Sequence, residues 1–165
     1  MNAGSTIIIE LWTIDQNGSG NCEESCATAY LLRLLDSQMR LDGDSLCGDI
    51  MERAIYNALF GAQATDGRKL RYFTAIEGPR VYFSMDTSCC PGNFRRIMAE
   101  LPTLIYYKTD KGLAINLFTQ SEVIFNPGND NDNTSAVRIK QVTNYPNSGR
   151  ILIKVDPEGP LEFPL

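Results

Sequence analysis

The chain has 165 residues, with 15 basic and 20 acidic side chains, a formal charge of −5 and 43% apolar residues. This length and composition predict a folded chain, and the acidic balance argues against a nucleic-acid backbone as its main partner. No apolar run approaches the ~20 residues that cross a bilayer, so we expect no membrane partner. The sequence also shows no signal peptide, which predicts a cytoplasmic location.

The first predicted helix runs from Glu24 to about Met39, because apolar residues recur there three and four positions apart. Its predicted inner residues are Ala27, Leu31, Leu34, Leu35 and Met39. A second helix is predicted after Asp44, and Gly61 is expected to end it. Its predicted inner residues are Ile50, Met51, Ala54, Ile55, Ala58 and Leu59.

Two short strands are predicted next, at Leu70–Phe73 and Val81–Phe83. Pro91 suits the first turn of a third helix. Its predicted inner residues are Ile97, Leu101, Leu104 and Ile105. Pro102 interrupts that pattern, which predicts a kink or two shorter helices.

After Gly112, apolar and polar residues alternate with a period of two, which predicts antiparallel strands. The predicted strands are Leu113–Phe118, Glu122–Phe125, Ser135–Val142 and Arg150–Val155. The polar run Asn126–Asn133 predicts a mobile loop, and Leu161–Leu165 begins like a further strand. Helices followed by such strands predict an α+β fold. Because several amphipathic faces lack a partner, we also expect a piece of a larger protein.

Five cysteines and no histidine limit the chemistry of this chain. Without histidine, the chain cannot supply Ser-His or Cys-His catalysis, and a zinc site must use sulfur and carboxylate ligands. Cys22 and Cys47 fit no ligand spacing and are expected to be structural.

The remaining three cysteines and one nearby glutamate form a complete tetrahedral ligand set for Zn²⁺. These residues are Glu24, Cys26, Cys89 and Cys90. Glu24 and Cys26 can share an ion only if the Glu-Ser-Cys segment is extended, or barely helical, just before the helix that follows, since residues two apart diverge on a helix. Inert cysteines in a core remain the alternative from spacing alone.

Six motifs in order resemble the β-L-arabinofuranosidase family, glycoside hydrolase family 127 and its relatives. These motifs are Glu23–Thr28, Glu52–Asn57, Asp66-Gly67, Cys89–Asn93, Gly112–Phe118 and Thr143–Gly149. The resemblance implies an α/α helical barrel followed by β-sandwich domains. It places residues 1–109 in the C-terminal part of the barrel and residues 110–165 at the start of an antiparallel β-sandwich.

The resemblance also implies roles for single residues. Glu24, Cys26, Cys89 and Cys90 would be the ligands of a zinc ion. Cys89 would also be the nucleophile, and Glu10, in Glu10-Leu11-Trp12, is the nearest match to the general acid/base. Glu52 and Tyr72 fall where the family contacts sugar hydroxyls, although a solvated carboxylate and a strand aromatic remain alternatives.

The implied function is retaining hydrolysis of an arabinofuranoside or related glycoside. Four anionic ligands and one Zn²⁺ carry a charge of −2, which Arg95 and Arg96 are placed to offset. Histidines of the family's active site come from the earlier part of the barrel, so we expect low activity from this chain by itself. Its expected partner is that part of the barrel or a second copy. A non-catalytic zinc-stabilised or carbohydrate-binding fragment is the alternative.

Overall fold

The computed structural model describes residues 24–74, 81–82, 89–110, 112–127 and 136–159. The chain divides into two compact units, Met1–Leu101 and Pro102–Leu165. The described part is α+β, as the sequence predicts, whereas the domain limits 1–109 and 110–165 stay predictions. Within the described residues, no helix has both the length and the apolar character needed to span a membrane.

Helix α1 spans Ser25–Asp42 and ends at Gly43, whose φ of 69° is the left-handed conformation that glycine adopts without strain. Helix α2 spans Ser45–Arg53, and the Asp44 carboxylate caps it by accepting a hydrogen bond from the Leu46 amide. The chain continues through a π-helical segment, Ala54–Leu59, into the short helix α3, Phe60–Ala62. The predicted helix starts and stops are therefore confirmed to within a few residues.

The buried stripe of α1 differs from the predicted one at Leu34. Thr28, Leu32 and Leu35 lie four and three positions apart and are buried, whereas Leu34 is 66% exposed. The run of leucines offers two overlapping helical stripes, and packing selects the stripe that turns Leu34 outward. Tyr30 and Leu41 share that outer face with Leu34. The prediction of an inward Leu34 was wrong.

Replacing Leu32 with Ala is expected to lower the free energy of unfolding by about 2–5 kcal/mol, because its side chain is fully buried and would leave a cavity. Leu34→Ala on the same helix is the matched control, with an expected change of less than about 1 kcal/mol. Guanidinium titration followed by far-ultraviolet circular dichroism measures both. Equal losses would contradict the assigned faces.

The third long helix, α4, spans Cys89–Glu100 and passes into a 3₁₀ turn at Leu101–Leu104. Pro102 lies in that turn, so the predicted interruption is confirmed. Arg33 of α1 makes two hydrogen bonds to the Glu100 carboxylate, of 2.8 and 2.9 Å. This bidentate pair joins α1 to the end of α4.

The predicted strand Leu70–Phe73 was wrong as a regular strand. The segment makes two isolated antiparallel bridges instead, Leu70 with Gln63 and Phe73 with Glu24. Val81 and Tyr82 are described without strand structure, and Phe83 lies outside the described residues. The bridge to Phe73 nevertheless has a consequence for the site, because it fixes Glu24.

The described residues of the second unit form one two-stranded and one three-stranded antiparallel sheet. The strands are β1 Tyr106–Lys108, β2 Leu113–Ile115, β3 Ser121–Phe125, β4 Val137–Thr143 and β5 Ile151–Pro157. Strand β1 pairs with β2, and β4 lies between β3 and β5. The predicted antiparallel strands are confirmed with shifted ends, whereas β1 was missed because the preceding residues follow a helical pattern.

A small apolar core supports this unit, and its buried members are Leu113, Phe125, Val137 and Ile139. Residues 137–141 alternate between buried and exposed, as a half-buried strand does. The side-chain amide nitrogen of buried Gln141, which has two hydrogens to donate, lies 3.1–3.2 Å from the Tyr106 hydroxyl, the Leu117 carbonyl and the Ser121 hydroxyl. Residues 128–133 of the predicted loop and the predicted terminal strand lie outside the described residues.

Candidate metal centre

Glu24 is extended where the chain enters α1, and Ser25 and Cys26 are the first residues of that helix. Glu24 has φ −61° and ψ 132° and is bridged to Phe73. Ser25 holds the same segment, since its amide donates to the Tyr72 carbonyl at 3.0 Å and its hydroxyl donates to the Arg71 carbonyl at 2.7 Å. The predicted geometry is confirmed, because an extended residue before the helix lets the Glu24 and Cys26 side chains reach one point.

The other two thiols come from the first turn of α4. Cys89 is exposed and Cys90 is only 1% exposed. Both lie at a helix N-terminus, where the unpaired amides and the helix dipole create a positive electrostatic potential. Pro91 suits this first turn because it has no N–H group that would need an acceptor.

The structure brings these two segments together. One ligand atom from each of Glu24, Cys26, Cys89 and Cys90 lies within 4.8 Å of the others. The Cys26 and Cys90 sulfurs are 3.3 Å apart, and the Cys90 sulfur is 3.6 Å from Glu24 Oε1. A tetrahedral zinc ion separates two sulfur ligands by about 3.8 Å and a sulfur and an oxygen ligand by about 3.6 Å. The four donors are therefore close enough together to hold one metal ion.

Glu24 gives a second test of this fit. Its side chain is only 3% exposed, and its buried Oε2 has no hydrogen-bond partner among the described residues. A buried carboxylate oxygen without a partner is unfavourable unless a donor or a cation reaches it. With three sulfur donors beside it, this oxygen fits a zinc ion.

Burial keeps two thiols protonated when no cation is present. Burial raises the pKa of Cys26 to about 11, although a hydrogen bond from Asn93 lowers it. Burial, followed by the interaction with Cys26, also raises the pKa of Cys90 well above that of a free thiol. A bound cation reverses this effect, because a coordinating thiol loses its proton.

Cys89 has different surroundings from the other three donors. Its sulfur lies 3.7 Å from the Tyr72 hydroxyl, and it is the exposed member of the set. Burial, together with the hydrogen bond to Cys89, raises the pKa of Tyr72. A protonated Tyr72 can therefore donate a hydrogen bond to the Cys89 sulfur.

Among the described residues, Glu52 and Cys47 are not part of this four-residue cluster. Glu52 lies on α2 and is partly exposed, and Cys47 is buried on the same helix. Glu10 and Cys22 lie outside the described residues. The roles assigned to Glu10 and Glu52 stay predictions.

The sequence analysis missed Asn93. Its Nδ2 donates to the Cys26 sulfur at 3.1 Å, and its Oδ1 accepts a hydrogen bond from Arg96 at 3.2 Å. Asn93 follows Cys89 and Cys90 by four and three positions, a spacing that puts it on their face of the helix. That spacing was present in the sequence and could have been used to select Asn93. Arg96 is therefore connected to the cluster indirectly, through the side-chain amide of Asn93.

Comparison with known proteins identifies the family of this chain. The model of a family described as β-L-arabinofuranosidase, GH127 catalytic domain, matches residues 10–103. A non-reducing end β-L-arabinofuranosidase of Bifidobacterium longum subsp. longum is 22% identical over 164 residues, covering 90% of this chain and 24% of that protein.

Two solved structures resemble the chain. A GH127 β-L-arabinofuranosidase from Geobacillus stearothermophilus T6 matches with a TM-score of 0.79 and 26% identity, covering 94% of this chain and 27% of that one. A second structure, a glycoside hydrolase, matches with a TM-score of 0.66 and 18% identity, covering 80% and 23%, and supports the fold alone. The chain thus spans about a quarter of the length of these relatives. Since the family model covers more than half of it, the chain belongs to the GH127 β-L-arabinofuranosidase family.

Proposed function

We propose that this chain carries the zinc-binding part of a retaining glycoside hydrolase that acts on β-L-arabinofuranosides or related glycosides. One observation carries the proposal: three buried donors and one exposed thiol meet within 4.8 Å. Buried donors suit the holding of an ion, whereas the exposed thiol of Cys89 is open to a substrate. The family membership supports the substrate class.

Glu24, Cys26, Cys89 and Cys90 would hold the zinc ion. When bound, zinc keeps the thiols as thiolates near neutral pH, which supplies a sulfur nucleophile to a chain without histidine. The N-terminus of α4 adds a favourable potential for negative charge at Cys89 and Cys90.

In the first step, the Cys89 sulfur attacks the anomeric carbon and the bond to the leaving oxygen breaks while Glu10 protonates that oxygen. In the second step, Glu10 accepts a proton from water, and the water oxygen displaces the Cys89 sulfur from the anomeric carbon. Two inversions give net retention, with sulfur in place of the usual carboxylate nucleophile.

The side chains of Tyr72 and Glu52 would contact hydroxyl groups of the sugar. The distance of 3.7 Å between the Tyr72 hydroxyl and the Cys89 sulfur supports this role for Tyr72, because a sugar at Cys89 would lie beside the phenol. Glu52 rests on the family motif alone. We expect slow turnover from this chain by itself, since it spans 24% of the curated relative.

A structural zinc ion is the second candidate function. The observation in its favour is that Glu24, Cys26 and Cys90 are all buried, as ligands of structural zinc sites usually are. In that case the ion joins the start of α1 to the start of α4 and catalyses nothing.

Hydrolysis of 4-nitrophenyl β-L-arabinofuranoside tests the two functions. The zinc-loaded chain is expected to release nitrophenol faster than the zinc-stripped chain, and proton NMR should show the β anomer of the sugar first, because two displacements retain configuration. Zinc-stripped chain reloaded with zinc is the control. Release of nitrophenol at the same rate with and without zinc would support the structural ion, and a first product with the α configuration would exclude the cysteine mechanism.

A further inference from the structure

We propose that Asn93 is a positioning residue of the metal centre. Its side-chain amide, held by Arg96, donates a hydrogen bond to the Cys26 sulfur and thereby strengthens metal binding. The inference rests on the proposed function only in assuming that the cluster binds zinc. It assigns a role to two residues outside the ligand set.

The orientation of the Asn93 amide follows from its two partners. An arginine side chain only donates hydrogen bonds, so the atom that faces Arg96 at 3.2 Å must be the amide oxygen. The amide nitrogen then faces Cys26 at 3.1 Å, and since an NH₂ group only donates, the sulfur must be the acceptor. Arg96 thus determines which end of the amide meets the ligand.

Burial gives this hydrogen bond its strength. Asn93 is 5% exposed and Cys26 is 6% exposed, so water does not compete effectively for either group. The Arg96 charge lies outside, on an exposed residue, and polarises the amide towards a better donor. A hydrogen bond to a thiolate sulfur stabilises the negative charge that the sulfur carries in a metal site.

The position of Asn93 on α4 couples it to the other ligands. The same helix supplies Cys89 and Cys90, while Cys26 comes from α1. The Asn93 hydrogen bond therefore joins the two ligand-bearing helices at the sulfur itself. Partners of this kind orient metal ligands, and their removal typically weakens metal affinity by about 10–100-fold.

The test replaces Asn93 with Leu, which has a similar volume but no donor. Zinc affinity, measured by competition with a chromophoric chelator, is expected to fall by about 10–100-fold. In the Co²⁺-substituted chain, the sulfur-to-cobalt charge-transfer band should move to lower energy, because a sulfur without the hydrogen bond gives up electron density more easily. A role in packing alone would leave that band in place.

Arg96 provides a second variant at an exposed position, where folding is not at risk. Arg96→Gln is expected to weaken zinc binding several-fold and to shift the band in the same direction, and Arg96→Lys should restore part of both. Arg40→Gln is the matched control, since it removes the same charge from an exposed position of α1, 14 positions after Cys26, and should leave the band unchanged.

An unchanged band in both Asn93→Leu and Arg96→Gln overturns the inference while the proposed zinc site stands. If Asn93→Leu does not fold, the bands of Arg96→Gln, Arg96→Lys and the control variant test the inference instead. If the wild-type chain binds neither Zn²⁺ nor Co²⁺, both this inference and the proposed function fail.

Discussion

Replacing Cys90 with Ser is expected to reduce the zinc content of the purified chain from about one ion to almost none. The Cys90 sulfur lies 3.3 Å from the Cys26 sulfur and 3.6 Å from Glu24, at the buried centre of the cluster. A serine hydroxyl stays protonated and is a poor zinc ligand, so only two of the three buried donors, Glu24 and Cys26, would remain. Plasma mass spectrometry after exhaustive dialysis measures the metal content.

Cys47→Ser is the matched control for this experiment. Cys47 is 7% exposed, close to the burial of Cys90, but it lies outside the four-residue cluster. The control is expected to keep its zinc. A Cys90→Ser chain that keeps one tightly bound ion, with the folded circular dichroism spectrum of the wild type, would show that the ion is held elsewhere.

Replacing Cys89 with Ser is expected to reduce turnover of an aryl β-L-arabinofuranoside by about a thousandfold or more while most of the zinc is retained. Cys89 is the exposed donor, so the three buried donors still hold the ion in this variant. The weaker nucleophilicity of a hydroxyl then limits the first displacement. Initial rates, zinc content and circular dichroism distinguish lost chemistry from lost structure.

Mass spectrometry adds a direct observation of the nucleophile. After an acid quench during turnover, the wild-type peptide that contains Cys89 is expected to carry one pentosyl group, whereas the Cys89→Ser peptide carries none. Cys47→Ser should behave as the wild type in both measurements. Turnover by the Cys89→Ser chain at the wild-type rate would contradict the nucleophile assignment.

The fold was predictable where one local signal determines each element. The Asp42-Gly43-Asp44 sequence stops one helix and caps the next, and Pro102 converts the end of α4 into a 3₁₀ turn. Leu34 was predicted wrongly because the leucine-rich helix has two apolar stripes, and only tertiary packing chooses between them. Strand β1 was missed for a related reason, since its pairing with β2 overrides the preceding helical pattern.

The four candidate ligands could be selected from the sequence, but the hydrogen bonds around them could not. The resemblance named Glu24, Cys26, Cys89 and Cys90, and simple geometry predicted the extended backbone at Glu24. Asn93 and Cys26 lie on different helices and are 67 positions apart in sequence, so neither segment alone reveals their hydrogen bond. Such partners of metal ligands depend on tertiary packing, which a single sequence does not encode in any local pattern.

The wide sequence separation of the sulfur ligands has one further consequence. Cys26 and Cys90 are 64 positions apart, so an ion that binds both closes a long loop, as a covalent crosslink would. In the chain-entropy treatment of crosslinks, a loop of this size corresponds to about 4 kcal/mol of lost freedom in the unfolded chain. Each segment supplies only two of the four ligands, so occupancy of the proposed site would report that the two segments have come together in the folded first unit.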